Sequence, residues 1–185
     1  MYISKILIEN FRSFEKTEVD FHEGINVLIG HNNSGKSNLL AAMALIFDNT
    51  VNRQLEVDDF YNGINVDELK NSAPKIKITV IISQSKNEDL MGDELVTVSN
   101  WLTTLEEPYT AQVQYEYFLP LGEEENYKKR VSGLSEAKEI WRIIKNEYIR
   151  YYTYKIWAGN PDNQVVVDSE NLRKFDYQFL NAIRD

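Results

Sequence analysis

Apolar and polar positions alternate along much of this chain, with a period that switches between two and about three and a half. Ile3 to Glu9 places Ile3, Lys5, Leu7 and Glu9 on one side and Ser4, Ile6 and Ile8 on the other, which predicts a strand covered on both faces. Phe11-Arg12-Ser13-Phe14 reads as a turn, and Glu15 to Phe21 as a second strand with Val19 and Phe21 inward. After the turn His22-Glu23-Gly24, the run Ile25 to Ile29 predicts a short buried strand. Asn38 to Phe47 is rich in helix formers and mostly apolar, as a helix under a sheet should be.

Residues 49 to 74 are polar and irregular, with Asn62-Gly63 as a turn signal and Pro74 closing the stretch. Lys75 to Ile82 alternates and is β-branched, predicting a strand. Asn87 to Glu107 reads as a helix carrying Leu90, Leu95, Val98, Trp101, Leu102 and Leu105. Ala111 to Leu119 reads as a strand. Ser135 is the expected N-cap of a helix with Ile140, Trp141, Ile144 and Tyr148 on one face. Arg150 to Trp157 and Gln164 to Val167 are expected strands around the turn Gly159 to Asp162, and Asn171 to Asp185 begins a last helix. The tyrosines and tryptophans mostly fall at strand or helix spacing, which favours packing over base stacking.

Between the third strand and its helix stands Gly30-His31-Asn32-Asn33-Ser34-Gly35-Lys36-Ser37, which fits G-x-x-x-x-G-K-[ST]. Gly30 and Gly35 allow backbone angles and close approach that a side chain would block. The loop amides, from His31 through Asn38, can then donate to phosphate oxygens. His31 is expected to contribute its backbone amide, with no chemistry asked of its imidazole. Lys36 brings positive charge to the β- and γ-phosphates, and the Ser37 hydroxyl can ligate Mg²⁺. A helix starting at the loop adds its positive end to the same place. Strand, loop and helix occur in the required order, so ATP and Mg²⁺ are the expected ligands.

The chain has 185 residues, 43% hydrophobic and 26% charged, enough for one sizeable domain with a core. It has no cysteine, which removes disulfides and cysteine-based zinc sites. With His22 and His31 its only histidines, a multi-histidine metal site is not expected. No apolar run approaches a membrane span, and Met1 to Lys5 lacks a signal-peptide pattern, so no membrane partner and a cytoplasmic location are expected. The net charge of −9 is the opposite of a duplex-binding footprint. Lys128-Lys129-Arg130 sits beside Glu123-Glu124-Glu125 and reads as a solvated turn of mixed charge. A grip on DNA would lie elsewhere or in an assembly.

The segment Ile3 to Phe47 resembles the N-terminal lobe of ABC-type ATPase heads of the SMC and RecF class. The resemblance rests on Asn10-Phe11-Arg12-Ser13-Phe14 after the first strand and on Gly24 to Gly30 leading into the loop. Asn32 to Ser37, Val57-Asp58-Asp59-Phe60 and Phe179 to Asp185 look most like the OLD family of ATP-dependent endonucleases. This resemblance implies an α/β P-loop NTPase fold with α+β character at its start and a mixed sheet around the loop helix. It also implies a second ATPase head as partner, and DNA as the substrate of the whole protein. It suggests that Arg12 approaches the nucleotide, the alternative being a surface arginine paired with an acid. It suggests that Gln84, after the Ile76 to Ile82 strand, touches Mg²⁺, the alternative being a solvent-facing loop glutamine. Asp58 and Asp59 are read as a structural turn.

Such heads also need a signature motif, an Asp-Glu strand end and a switch histidine. Val131-Ser132-Gly133-Leu134 is too short an echo of the signature, and Val165-Val166-Val167-Asp168-Ser169-Glu170 lacks the acid pair. Residues 1–185 are therefore expected to be an N-terminal ATPase fragment, without the second half of the head or a Toprim nuclease domain. The fragment is expected to bind ATP with little or no hydrolysis. A complete small kinase or GTPase is disfavoured, since neither an Asn-Lys-x-Asp guanine motif nor an arginine-rich lid is present. A non-enzymatic module with a vestigial loop is the remaining alternative.

Overall fold

The computed structural model describes residues 1–31, 34–86, 98–104, 106–167, 172, 173, 175, 177 and 178. Its centre is a six-stranded sheet in the order β2-β1-β3-β4-β5-β6. The strands are β1 (Tyr2–Phe11), β2 (Phe14–Asp20), β3 (Ile76–Ser83), β4 (Thr110–Phe118), β5 (Thr153–Ala158) and β6 (Val165–Val166). Helix α1 (Lys36–Phe47) follows the glycine-rich loop. Further helices among the described residues are α2 (Val66–Asn71), α3 (Leu121–Val131) and α4 (Ala137–Ile143), and a π-helical turn (Ile144–Tyr148) continues α4.

The strand period of two explains the layering. Ile6 and Ile8 stand opposite Val80 and Ile78, which stand opposite Val113 and Tyr115, with Ile156 beyond. All of these are buried, and with Leu39, Ala42, Leu45 and Ile46 of α1 they form the core. On the other face Leu7 is half-buried and stands opposite Thr79, which stands opposite Gln114, both buried, while Lys5 and Lys77 are half-buried and Lys155 is exposed.

Every pair in this sheet is antiparallel, whereas a mixed sheet was expected. The missing parallel strand is the run Ile25 to Ile29. It lies outside the sheet, with Ile25 93%, Val27 74% and Ile29 91% exposed. The reason is local. β1 already has β2 and β3 on its two edges. Asn26 then ties the chain back on itself: its Oδ1 accepts from the His22 N–H at 2.9 Å and its Nδ2 donates to the His22 carbonyl at 2.8 Å. Because these apolar side chains touch little, Ile25→Thr and Ile29→Thr should change unfolding free energy by no more than about 0.5 kcal/mol in this chain. Urea unfolding checks this; a loss of several times that size would mean the run is packed.

Other expectations also shift. The acidic-to-basic run read as a turn is α3, with Glu123 and Glu124 in its first turn and Lys128, Lys129 and Arg130 in its last. That order favours the helix dipole, and Tyr127 and Val131, four residues apart, are both buried. The N-cap of α4 is Glu136, one residue beyond the expected Ser135. The expected helix over 87 to 107 does not reach Glu107. Ser99–Trp101 is a single 3₁₀ turn, and Leu102 bridges to Ala111. Residues 87–97 and most of the expected last helix lie outside the described residues, as do Asn32 and Asn33.

Candidate functional site

The loop sits at one end of the sheet, where the β1–β2 hairpin turns. Gly35 is the N-cap of α1 at φ +89°, a left-handed conformation that L side chains rarely adopt. A Cβ there would stand 2.8 Å from Cζ and 2.9 Å from Cε1 of Phe14, so the loop rests directly on the hairpin. No side chain caps α1, and its first turn holds no acid. Its first amides therefore have neither an intrahelical acceptor nor a side-chain cap, and its positive end is free to face an anion.

Lys36 folds back over its own loop. Its Nζ donates to the Gly30 carbonyl at 2.5 Å, to the His31 carbonyl at 2.8 Å and to the Ser34 hydroxyl at 3.3 Å. The Ser34 N–H donates to the His31 carbonyl at 3.1 Å. Three loop oxygens thus gather the ammonium at the mouth of α1. Ser37 follows and is exposed, with its hydroxyl in the first turn. No group of three His, Cys, Asp or Glu is arranged for a metal among the described residues. Mg²⁺ commonly takes few protein ligands and relies on phosphates and water, and a single serine fits that pattern.

Arg12 reaches the same place from the hairpin. It too is left-handed, at φ +51°. Its Nε donates to Asp59 Oδ1 at 3.0 Å, its backbone N–H donates to the Asp59 carbonyl at 2.8 Å, and its Nη1 lies 3.5 Å from Asn38 Oδ1. Asn38 in turn donates to the Ser13 hydroxyl at 2.9 Å. Arg12 thus pairs with an acid and stands beside the loop helix.

Asp59 is the residue that sequence reasoning undervalued. It belongs to a 3₁₀ turn, Val57–Asp59, as expected, but its carboxylate also accepts from Glu56 N–H at 3.1 Å and so fixes the arginine to that turn. A bridge between Phe11 and Phe60, and a bond from Tyr61 N–H to the Asn10 carbonyl at 3.0 Å, clip the turn to the hairpin. An acid beside an aromatic in an otherwise polar segment was the available signal.

Gln84 is not brought to the site. Its Oε1 accepts from Tyr109 N–H and its N–H donates to the Tyr109 carbonyl, both at 3.0 Å, extending the β3–β4 ladder. Ser83 lies opposite Tyr2, at the far end of β1 from Phe11. Nine residue steps of strand separate the two ends, roughly 30 Å. A glutamine there cannot share a metal with Ser37, and the solvent-side alternative is corrected too: the side chain closes a hairpin.

A model of the AAA_15 family, described as an AAA ATPase domain, matches residues 1–182. The chain belongs to that family. Shorter likenesses agree with it. RecF, the DNA replication and repair protein, is 44% identical over 46 residues in Thermoanaerobacter sp. (strain X514) and 46% identical over 46 in Caldanaerobacter subterraneus subsp. tengcongensis. Those stretches cover 25% of this chain and 13% of each RecF, so the chain accounts for a small part of these relatives. A solved structure from work on ATP-driven dimerization and DNA-stimulated activation of SMC ATPases aligns over 78% of both chains, at 17% identity and a TM-score of 0.40. This AAA_15 domain has a P-loop NTPase fold of the ABC-type head class. Membership implies ATP and usually Mg²⁺ as ligands, and the uncapped α1, Lys36 and Ser37 fit them. Among the described residues no helix is long and apolar enough to cross a membrane.

Proposed function

We propose that this chain is the ATP-binding lobe of an OLD-like ATP-dependent endonuclease acting in DNA processing or phage defence. The observation that carries nucleotide binding is the seat of the loop: Gly35 against Phe14, Lys36 gathered over Gly30 and His31, and α1 uncapped. The loop amides and Lys36 hold the phosphates, Ser37 takes one position on Mg²⁺, and Arg12 adds charge from the hairpin. The OLD assignment is supported by the phrase Val57 to Phe60, which here acts as the clip that fixes Arg12. The RecF likenesses favour a second reading, a head of a RecF-like DNA repair ATPase.

By itself the chain binds ATP and turns it over slowly or not at all. Asp59, linked to the loop helix through Arg12, is occupied by that arginine and is poorly placed to activate water. Hydrolysis then awaits a second head, and DNA is met by the whole protein. Calorimetric titration with ATP and Mg²⁺ tests the binding: micromolar affinity is expected, falling at least a hundredfold in Lys36→Ala. Robust turnover by residues 1–185, lost in Lys36→Ala, would overturn the assignment of hydrolysis to a partner. ATP-dependent DNA cleavage by the whole protein separates the endonuclease from the RecF-like reading.

A further inference from the structure

Charge is not spread evenly along this chain. Residues 126–155 hold eight basic residues against three acids, a net +5 within a total of −9, so the rest of the chain carries −14. That stretch runs from the end of α3 through α4 and its π continuation to a 3₁₀ turn, Ile149–Tyr151, and into β5. The fold brings its arginines together. Arg130 and Arg142 line one cleft of about 300 Å³ with Glu139, Asn146 and Glu147. We propose that this surface binds single-stranded DNA, with phosphates against Lys129, Arg142, Lys145 and Arg150 and a base on Tyr151. Binding here rests on the reading that the parent protein meets DNA, and gives that contact a place.

The cations are contiguous. Arg130 grips Glu147 twice, Nε to Oε2 at 3.0 Å and Nη2 to Oε1 at 2.8 Å, which ties the end of α3 to the π turn. These bonds hold the Glu147 carboxyl below the usual carboxylate range, and the charge of Arg150 lowers it further, so Arg150 stands by the same cluster. Arg142 and Lys145, three residues apart along α4 and its continuation, share a face.

The cations are also available. Glu147 is taken up by Arg130, whereas Lys129, Arg142 and Lys145 are exposed and enter no ion pair among the described residues. Two acids line the cleft itself, so the phosphates are assigned to the exposed cations around it. The acids of α3, Glu123 and Glu124, lie in its first turn, away from this end. Because salt screens charge beyond roughly 8–10 Å, a strand lying here responds to this local excess and not to the net charge of the chain.

Tyr151 supplies what a patch of cations alone would lack. It is 43% exposed, while most tyrosines of the chain are buried or half-buried. The Arg150 guanidinium lies over its ring, 4.8 Å from the centroid. A cation on one face of an exposed ring leaves the other face for a base. Free cations beside an exposed aromatic are how single-strand binders hold backbone and base together. A duplex keeps its bases stacked inward and would use the cations alone.

Fluorescence anisotropy with a labelled oligo-dT of about 20 nucleotides, titrated with residues 1–185 between about 50 and 200 mM salt, tests this. Four phosphate contacts give an expected slope of log affinity against log salt of about −3. Arg142→Gln and Lys145→Gln should each weaken binding several-fold and make the slope shallower by about 0.7. Tyr151→Ala should weaken binding about tenfold and leave the slope as it was, a pattern that loss of charge does not produce. Lys16→Gln, which removes an exposed charge from β2, should change nothing. All four positions are exposed, so the variants should fold. A duplex bound as tightly as the single strand, with Tyr151→Ala silent, overturns the single-strand assignment. Binding indifferent to Arg142→Gln, Lys145→Gln and Tyr151→Ala, or no binding by residues 1–185 while the whole protein binds DNA, overturns the surface and leaves the DNA reading standing. Failure of the whole protein to bind DNA overturns both.

Discussion

Raising the pH through 10 to 12 should unfold this protein well before its backbone is chemically harmed. Four buried tyrosines hold the connecting segment 53–74 by its carbonyls. Tyr115 donates to Arg53, Tyr117 to Leu55 and Tyr127 to Leu69, each at 2.7 Å, and Tyr152 donates to Pro74 at 2.9 Å. Burial pushes the Tyr117 phenol up to about 12 and raises those of Tyr115, Tyr127 and Tyr152 as well. In the unfolded chain a tyrosine releases its proton near pH 10. Between that pH and the folded value the native state binds more protons than the unfolded state. Stability is therefore whole below about pH 10 and falls as pH rises, by about 1.4 kcal/mol per pH unit for each such group. For four groups this approaches the whole stability of a typical domain by about pH 12. Urea midpoints measured from pH 8 to 12 should drop steeply above 10, with tyrosinate absorbance appearing together with unfolding. Tyr117→Phe should soften the fall and cost about 1–2 kcal/mol at neutral pH, because the Leu55 carbonyl loses its donor. Tyrosinate absorbance at pH 11 as full as that of the urea-unfolded chain, with the fold intact, would refute the account. The same hydroxyls matter to the site, since the segment they hold carries Asp59 and hence Arg12.

Gly35→Val should remove nucleotide binding and weaken the fold together. The new side chain would be forced into φ +89° and would press on the Phe14 ring. A β-branched residue in that conformation costs about 1–3 kcal/mol before the hairpin moves. Displacing Phe14 then shifts Ser13 and Arg12, which reach Asn38. The expected result is no measurable heat with ATP and Mg²⁺, and a fall in Tm of roughly 5–10 °C. Lys36→Ala gives the contrast: binding is lost but Tm is little changed, because the lysine's hydrogen bonds among the described residues go to exposed oxygens of its own loop. If Gly35→Val kept wild-type affinity, the loop would not depend on the hairpin beneath it.

Much of this was legible in the residues because it is local. The alternation of Ile6, Ile8, Ile78 and Val80 is a property of strand geometry, and these residues are buried on one face as their spacing required. The phosphate loop was legible because Gly, Lys and Ser at fixed spacing have few other uses. Two kinds of expectation failed, for different reasons. Ile25 to Ile29 has strand chemistry, but a strand exists only with a neighbour, and this run pairs with none of the six strands. The run Glu123 to Arg130 looks like surface charge in one dimension. It becomes a helix because its acids and bases fall at the correct ends and Tyr127 finds a buried place.

What the sequence determined by itself, then, is the loop: Gly30, Gly35, Lys36 and Ser37 lie within one loop and one helix turn, so their spacing suffices. Tertiary structure decided the surroundings. It brought Arg12, Asn38 and Asp59 together from three separate segments, packed Trp141 of α4 against Phe60, and carried Gln84 to the opposite end of the sheet. Such meetings follow from strand order and register, and these depend on how the whole chain buries its apolar face rather than on any short phrase within it.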